Sequence, residues 1–445
     1  MNCPKIKNEL KDIEQVVTDH LRFKMLQERI NKRLKKDPNY IIKAQKSINR
    51  YIKTKFICYA NVIEDISCKC IDDDPFKTSY DHLDKLNNYL SRLTKSTNEI
   101  TNLTKVLSPN IGKLYVAKYA ESLYKLVKNM LHHSTNSSQI LEIITWVSKI
   151  FINFCKMHNL DYDKKIRHSV EGASKLYVKV IQETNHTFIA NMVTNDYNST
   201  KKKNNNKWLD MIDDIYYTGI IKLLFMFLIE NIKIAHSSTS PILLKYTFRE
   251  TLKYVQLFCN QYITIMQESK ESVPLKYCIA CLNNANKMVE LFNKYLNTMQ
   301  QRYHIKIHKH KVTNDITIIV LLFKAINQNF QSLLISCITK PLNMLFKNTD
   351  INSEYSEYFG TIIVDTIQDY LDNDVRPYLD ADIFDEFIKS LLDEIISKLY
   401  CIINNQNKIQ RSDTSILIIS KFFKTIIDDN EYVTNKINTL NKIEI

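Results

Sequence analysis

Only four glycines occur in 445 residues, at Gly112, Gly172, Gly219 and Gly360. Glycine supplies the positive-φ turns and close backbone approaches on which phosphate-cradling loops depend. With the four so far apart, the chain cannot contain a P-loop, a dinucleotide-binding turn or a Gly-x-Ser-x-Gly nucleophile elbow. Proline is nearly as scarce, eight in all. The chain therefore reads as long helices joined by short polar turns, with no sheet larger than a hairpin.

Long apolar runs are missing as well. The most apolar stretches are Gly219–Ile229, broken by Lys222, and Ile316–Phe323. Both fall short of the roughly 20 residues a helix needs to cross a bilayer and are expected to be core helices. Residues 1–20 carry Lys5, Lys7, Glu9, Lys11, Asp12 and Glu14 where a leader would place an apolar segment, so no secretory signal is expected there. The ten cysteines, at positions 3, 58, 68, 70, 155, 259, 278, 281, 337 and 401, lack the spacing of a disulfide scaffold. They point to a reducing, cytoplasmic compartment.

Charge is plentiful and unevenly placed. Between Arg22 and Lys55, twelve Lys and Arg face Glu28 and Asp37, a balance of +10; between Asp350 and Glu394, thirteen acids face Arg376 and Lys389, a balance of −11. Within the basic stretch, Lys32, Arg33, Lys35, Lys36, Lys43, Lys46, Arg50 and Lys53 are the candidate membrane- or partner-binding residues, suited to an anionic leaflet or an acidic protein. The stretch lacks the glycine-aromatic pattern of RNA-binding sheets and any zinc-finger or homeodomain signature, which argues against nucleic acid. Each charged segment taken alone also fits a plain solvated helix face.

Apolar residues at helical spacing define the core candidates. Phe384, Phe387, Ile388, Leu391, Leu392, Ile395, Ile396, Leu399, Ile402 and Ile403 form one stripe, with Asp380 or Asp382 available as its cap. A second helix opens at Pro274 and turns Leu275, Cys278, Ile279, Leu282, Val289, Phe292 and Leu296 to one side; a third, from about Ile140, turns Ile140, Ile143, Ile144, Val147, Ile150, Phe151 and Phe154 inward. The tract 195–207, rich in Asn and Lys, shows no periodicity and is expected to be a disordered linker. Softer breaks fall at Asp72–Pro75, Ser108–Gly112, Ser237–Pro241 and Asn348–Ser353. These breaks suggest a basic helical region over 1–110, bundles over 111–194 and 208–310, and a C-terminal bundle over 311–445.

Candidate chemistry is thin. Cys278-Ile-Ala-Cys281 is followed by His304, His308 and His310. Its cysteines stand one helical turn apart on an amphipathic helix, with no second Cys pair, so apolar packing is expected rather than metal. The carboxylate pairs Asp213–Asp214 and Asp428–Asp429 are adjacent in sequence, and on a helix such neighbours diverge by about 100°. No nucleophile has a marked base beside it. No catalytic, cofactor-binding or metal residue is assigned, and the chain is read as a non-enzyme.

Three collinear segments carry a family resemblance. Ile140-Leu-Glu-Ile-Ile-Thr-Trp-Val-Ser-Lys-Ile-Phe is similar to the tryptophan-bearing helix of the exocyst complex component 3 family, the vesicle-tethering subunit of the exocyst. Pro274-Leu-Lys-Tyr-Cys-Ile-Ala-Cys-Leu-Asn-Asn-Ala resembles that family's Tyr-x-Ile-Ala-x-x-Asn-Asn helix. Thr366-Ile-Gln-Asp-Tyr-Leu-Asp-Asn-Asp, with the helix Phe384–Tyr400 behind it, is similar to its C-terminal Thr-x-x-Asp-Tyr segment. The family includes tumour-necrosis-factor-alpha-induced-protein-like relatives, and the resemblance reads the chain as a divergent or virus-carried member of it. It implies an all-α fold, an elongated rod of stacked helical bundles of tethering-complex type. It further implies no cofactor, exocyst subunits and SNARE-type helices as partners, and a peripheral place at membrane or vesicle contact sites. Two other functions fit the same fold: a phosphoinositide-binding membrane-remodelling protein and a virus-encoded decoy of host vesicle trafficking.

Overall fold

The computed structural model describes residues 75–104, 109–134, 136–200, 209–212, 214–268, 273–307, 309–344, 353–404 and 413–441, together with Glu28, Lys32, Ile42, Lys46, Ser47 and Arg50. In chain order these form α1 (Pro75–Thr104), α2 (Pro109–His133), α3 (Ser137–Trp146), α4 (Ile152–Met157) and α5 (Asp163–Ser199). The strands β1 (Leu209–Ile212) and β2 (Ile215–Thr218) come next, then α6 (Ile220–Ser237), α7 (Pro241–Glu268), α8 (Leu275–Gln301) and α9 (Lys309–Met344). The chain continues through α10 (Ser353–Tyr370), α11 (Ala381–Asn404), α12 (Asp413–Ile426) and α13 (Asn430–Asn441). The fold is all-α, as expected, and the antiparallel β1–β2 pair is the only sheet among the described residues.

Helix starts follow the chemistry of the first turn. Pro75, Pro109 and Pro241 open α1, α2 and α7, where a missing N–H costs nothing and the fixed φ already suits a helix. Those three and Ser353 agree with the breaks expected from sequence. Sharp turns in this glycine-poor chain use other residues at positive φ: Asn159 at 52°, Asp214 at 66°, Thr239 at 55° and His304 at 54°. Thr239, being β-branched, pays the largest steric cost. Its turn between α6 and α7 is held by Thr239 N–H on His236 O at 2.9 Å and by Ser238 Oγ on Ala235 O at 2.6 Å.

The chain divides into two compact units, one of residues 1–184 and 231–250, the other of residues 185–230 and 251–445. In the first, α1 packs on α2 and α3 through a stripe of Leu86, Leu90, Leu93 and Ile100 against Tyr119, Leu123 and Val127, all buried. Thr97 Oγ1 meets Tyr119 Oη at 3.2 Å, and Trp146 Nε1 donates to Thr94 Oγ1 at 2.9 Å. The third expected helix is interrupted by a π turn at Val147–Phe151. That turn takes up an extra residue, so Phe151 and Phe154 stay in the core while Ile150 is only half-buried.

In the second unit α8 is the central element, packed on α9 and β2; α9 packs on α10 and α11, and α10 on α12. The expected one-sided face of α8 is corrected. Residues 277–285 are buried all round, whereas Leu275, Val289 and Leu296 are half-buried. A helix enclosed on every side has no solvent face over that stretch. The α11 stripe agrees with expectation from Phe387 to Leu399, and Phe387 stacks on Phe330 of α9 with ring centroids 4.7 Å apart. Within α9, residues 316–344 are long and apolar enough to cross a membrane by length and composition, the one such span among the described residues, and half of its most apolar window is buried.

The linker expected over 195–207 is corrected for residues 195–199, which continue α5. Tyr197 is buried there, and Asp196 is held by two tyrosines, contacts that a composition-based reading of an Asn-rich tract does not register. Residues 201–208 lie outside the described residues.

Leu392 is fully buried in the α11 stripe. Leu392→Asp places an unpaired charge there and is expected to destabilise the protein by about 3–5 kcal/mol. Chemical denaturation checks this, and an unchanged midpoint would remove α11 from the core.

Candidate functional site

The densest polar chemistry in the second unit gathers around the first three turns of α8. Asn283 is fully buried and makes three hydrogen bonds. Its Nδ2 donates to Tyr216 O and Tyr378 O, both at 2.8 Å, and its Oδ1 accepts from Asp380 N–H at 2.9 Å. Only this amide orientation satisfies the site, since a flipped Asn would set oxygen against two carbonyls. Beside it, Asn284 accepts from Thr218 N–H at 3.3 Å and donates to Thr218 Oγ1 at 2.8 Å. Two adjacent side chains therefore hold β2 and residues 378–380 onto α8.

Four further contacts close this junction. Tyr216 N–H donates to Tyr378 O at 3.3 Å, and the Tyr216 and Tyr378 rings stack 4.2 Å apart at 9°. Burial pushes the Tyr216 hydroxyl up to about 12. Of the two expected caps for α11, the structure selects Asp380, whose Oδ1 accepts from Asp382 N–H at 3.1 Å, while Asn286 Nδ2 donates to its Oδ2 at 3.3 Å.

Nearly two turns back on α8, Tyr277 Oη donates to Asp196 Oδ2 at 2.7 Å, joined by Tyr262 Oη of α7 at 2.9 Å. The Cys281 thiol lies 3.1 Å from Tyr262 Oη. Burial raises the Asp196 carboxyl above its ordinary 3.8, against the pull of hydrogen bonds from Tyr277, Tyr262 and Thr218. Burial also pushes the Cys278 thiol up to about 12 and the Cys281 thiol well above its usual range. Cys278 and Cys281 are core residues, as expected, and as protonated thiols they are poor nucleophiles and poor metal ligands. Among the described residues no three His, Cys, Asp or Glu groups converge as a metal-holding set. The arrangement fixes positions.

The basic candidates fall elsewhere. Lys32, Lys46 and Arg50 are helical and exposed, while Arg33, Lys35, Lys36, Lys43 and Lys53 lie outside the described residues. Of the acidic stretch, Glu357, Asp365, Asp369, Asp372, Asp382, Asp385 and Glu386 are exposed. Asn283, Asn284 and Asp196 were not singled out for their chemistry by sequence reasoning. The available signal was the Asn pair inside the otherwise apolar run Tyr277–Ala285, where a buried amide must find partners.

A sequence-family model described as exocyst complex component Sec6 matches residues 8–444. No curated protein matches the chain. A similar solved structure is the crystal structure of the C-terminal domain of the exocyst subunit Sec6p. It is 16% identical, has a TM-score of 0.48, and covers 61% of this chain and 75% of that chain.

Asn283→Ala strands the buried Tyr216 carbonyl and the Asp380 N–H, leaves Tyr378 O with only its bond from Tyr216 N–H, and is expected to cost about 3–5 kcal/mol, far above a surface Asn→Ala change. Thermal or urea unfolding measures the difference. For Asp196, the raised folded-state value means that its stabilising contribution is complete below pH 3.8 and is lost as pH rises through the folded value. Asp196→Asn keeps an acceptor for both tyrosines without the buried charge. Its unfolding midpoint at pH 7 is expected to equal or exceed the parent's, with a flatter profile between acid and neutral pH.

Proposed function

The chain belongs to the exocyst component Sec6 family, and from that premise we propose that it works as an exocyst-subunit-like protein in vesicle tethering during exocytosis. The observation that carries this reading is the extent of the family match, residues 8–444 of 445. The family is a structural part of a tethering complex, not an enzyme. Its components are cytoplasmic and act where vesicles meet the plasma membrane, in company with other exocyst subunits.

Finer assignments extend this reading. The three collinear motifs favour the subunit 3 branch, with exocyst subunits or SNARE-type helices as its partners. A phosphoinositide-dependent contact is the second reading, favoured by the exposure of Lys32, Lys46 and Arg50. Each basic residue near an anionic leaflet is worth about 1 kcal/mol.

One experiment with two arms tests these readings. The tagged full chain is expected to coprecipitate exocyst subunits from cytosol. Its flotation with phosphoinositide liposomes is expected to weaken roughly a hundredfold at low salt when Lys32, Lys46 and Arg50 are changed to Gln, with the difference shrinking as the Debye length falls below about 10 Å. Absence of every exocyst subunit from the precipitate would remove the tethering role. Lipid binding indifferent to the three substitutions at all salt concentrations would reduce the basic region to a solvated surface.

A further inference from the structure

The two edges of the β1–β2 hairpin are treated differently by the rest of the fold. Ile212 pairs with Ile215 across a two-residue turn, so the register runs Met211 opposite Tyr216, Asp210 opposite Tyr217 and Leu209 opposite Thr218. In a two-residue hairpin the pair flanking the turn exchanges hydrogen bonds, and bonded and non-bonded pairs then alternate. The backbone groups of Ile215 and Tyr217 therefore face β1, and those of Tyr216 and Thr218 face away from it. The contacts of β2 agree: Tyr216 N–H donates to Tyr378 O, Tyr216 O accepts from Asn283 and Thr218 N–H donates to Asn284.

The same alternation sends the N–H and C=O of Leu209 and Met211 outward from β1. Among the described residues no hydrogen bond reaches them. Both faces of the strand are open too, because Met211 is 61% and Ile212 58% exposed, and successive side chains of a strand point to opposite faces. Asp210 is exposed beside them. Among its described residues the hairpin carries the exposed Asp210 and Asp214 and no Lys or Arg, and Lys276 of α8 lies over the Tyr216 ring of β2. An open strand edge with exposed apolar side chains is a template for pairing with another strand.

We propose that the outer edge of β1 receives an extended segment of a partner polypeptide, added as a third, antiparallel strand. Charge and register together specify that segment. Its residue opposite Asp210 is Lys or Arg, the two that follow the edge past Met211 and Ile212 are apolar, and a second cation meets the exposed Asp214 at the turn. Main-chain bonds to Met211 give the affinity and the flanking cations give the selectivity. The inference rests on the hairpin alone and is independent of exocyst assembly, so coprecipitation of exocyst subunits can fail while this edge binds, or the reverse.

The test uses the full chain and an acetylated, amidated peptide Thr-Lys-Val-Val-Lys-Thr carrying a fluorophore. Anisotropy is expected to show saturable binding, and with methionine 15N-labelled protein the Met211 amide is expected to shift on titration. N-methylation of the peptide at alternate amides, or exchange of its lysines for Glu, is expected to weaken binding at least tenfold. Met211→Pro removes an outward N–H that the hairpin does not use. It is expected to weaken binding at least tenfold at an unchanged unfolding midpoint, and if that variant misfolds the N-methylated peptide decides. Equal binding of the N-methylated or Glu-bearing peptide, or no binding at all, overturns the proposal. A parent that is dimeric in sedimentation and monomeric as Met211→Pro would show a second copy on the edge and overturn it. A Met211 amide that in the free protein exchanges as slowly as those of α8 would show the edge already covered by the chain itself, with the same result.

Discussion

Asn283 is enclosed by protein on every side, and three backbone groups from two separate segments depend on its one amide. Of the three, only Tyr378 O has a second partner, the N–H of Tyr216. Residues 376–380 lie between a π turn at Leu371–Val375 and the start of α11, and β2 belongs to a hairpin too short to be stable alone. A buried carbonyl or N–H without a partner costs about as much as a lost hydrogen bond, and more when several are stranded together. The Asn283 amide thus sets where the hairpin stands and where α11 begins. Asn284 and Asp380 repeat the arrangement at its two sides.

That constraint explains how an otherwise oily helix can lie at the centre of a bundle and still specify one arrangement. Tyr277, Cys278, Ile279, Cys281 and Leu282 would pack acceptably in several rotations about the α8 axis. The directional bonds of Tyr277, Asn283 and Asn284 admit one. Asp196 ties the end of α5 to α7 and α8 in the same way through Tyr262 and Tyr277. Its raised carboxyl value records the electrostatic cost of placing a carboxylate there. For a tethering protein, whose work is to present surfaces at fixed positions, rotational definition of the central helix is the relevant property, and the exposed charges need no precise geometry of their own.

Much of this was legible in the chain. Scarce glycine and proline led to the all-α fold, period-3.6 stripes located the α11 core from Phe387 to Leu399, and Pro75, Pro109 and Pro241 marked helix starts. The resemblance of Tyr277–Asn284 to a family helix pointed to the segment that proves central. What periodicity could not show was burial on all sides of 277–285, because a hydrophobic pattern reports one face and the partners of the second face lie 66 to 97 residues away. Composition misread 195–199, where a single long-range pair of tyrosine bonds to Asp196 outweighs local Asn content. The one-residue displacement at Ile150 came from a π turn, which leaves no mark in the hydrophobic period.

Hydrogen exchange on the intact protein measures the central constraint most directly. If Asn283 and Asn284 hold the two segments onto α8, the amides of Thr218 and Asp380, which donate to their side chains, exchange as slowly as the amides of α8 itself and open only with the second unit as a whole. Exchange of Thr218 and Asp380 at rates close to those of exposed turn residues, while α8 stays protected, would contradict the account.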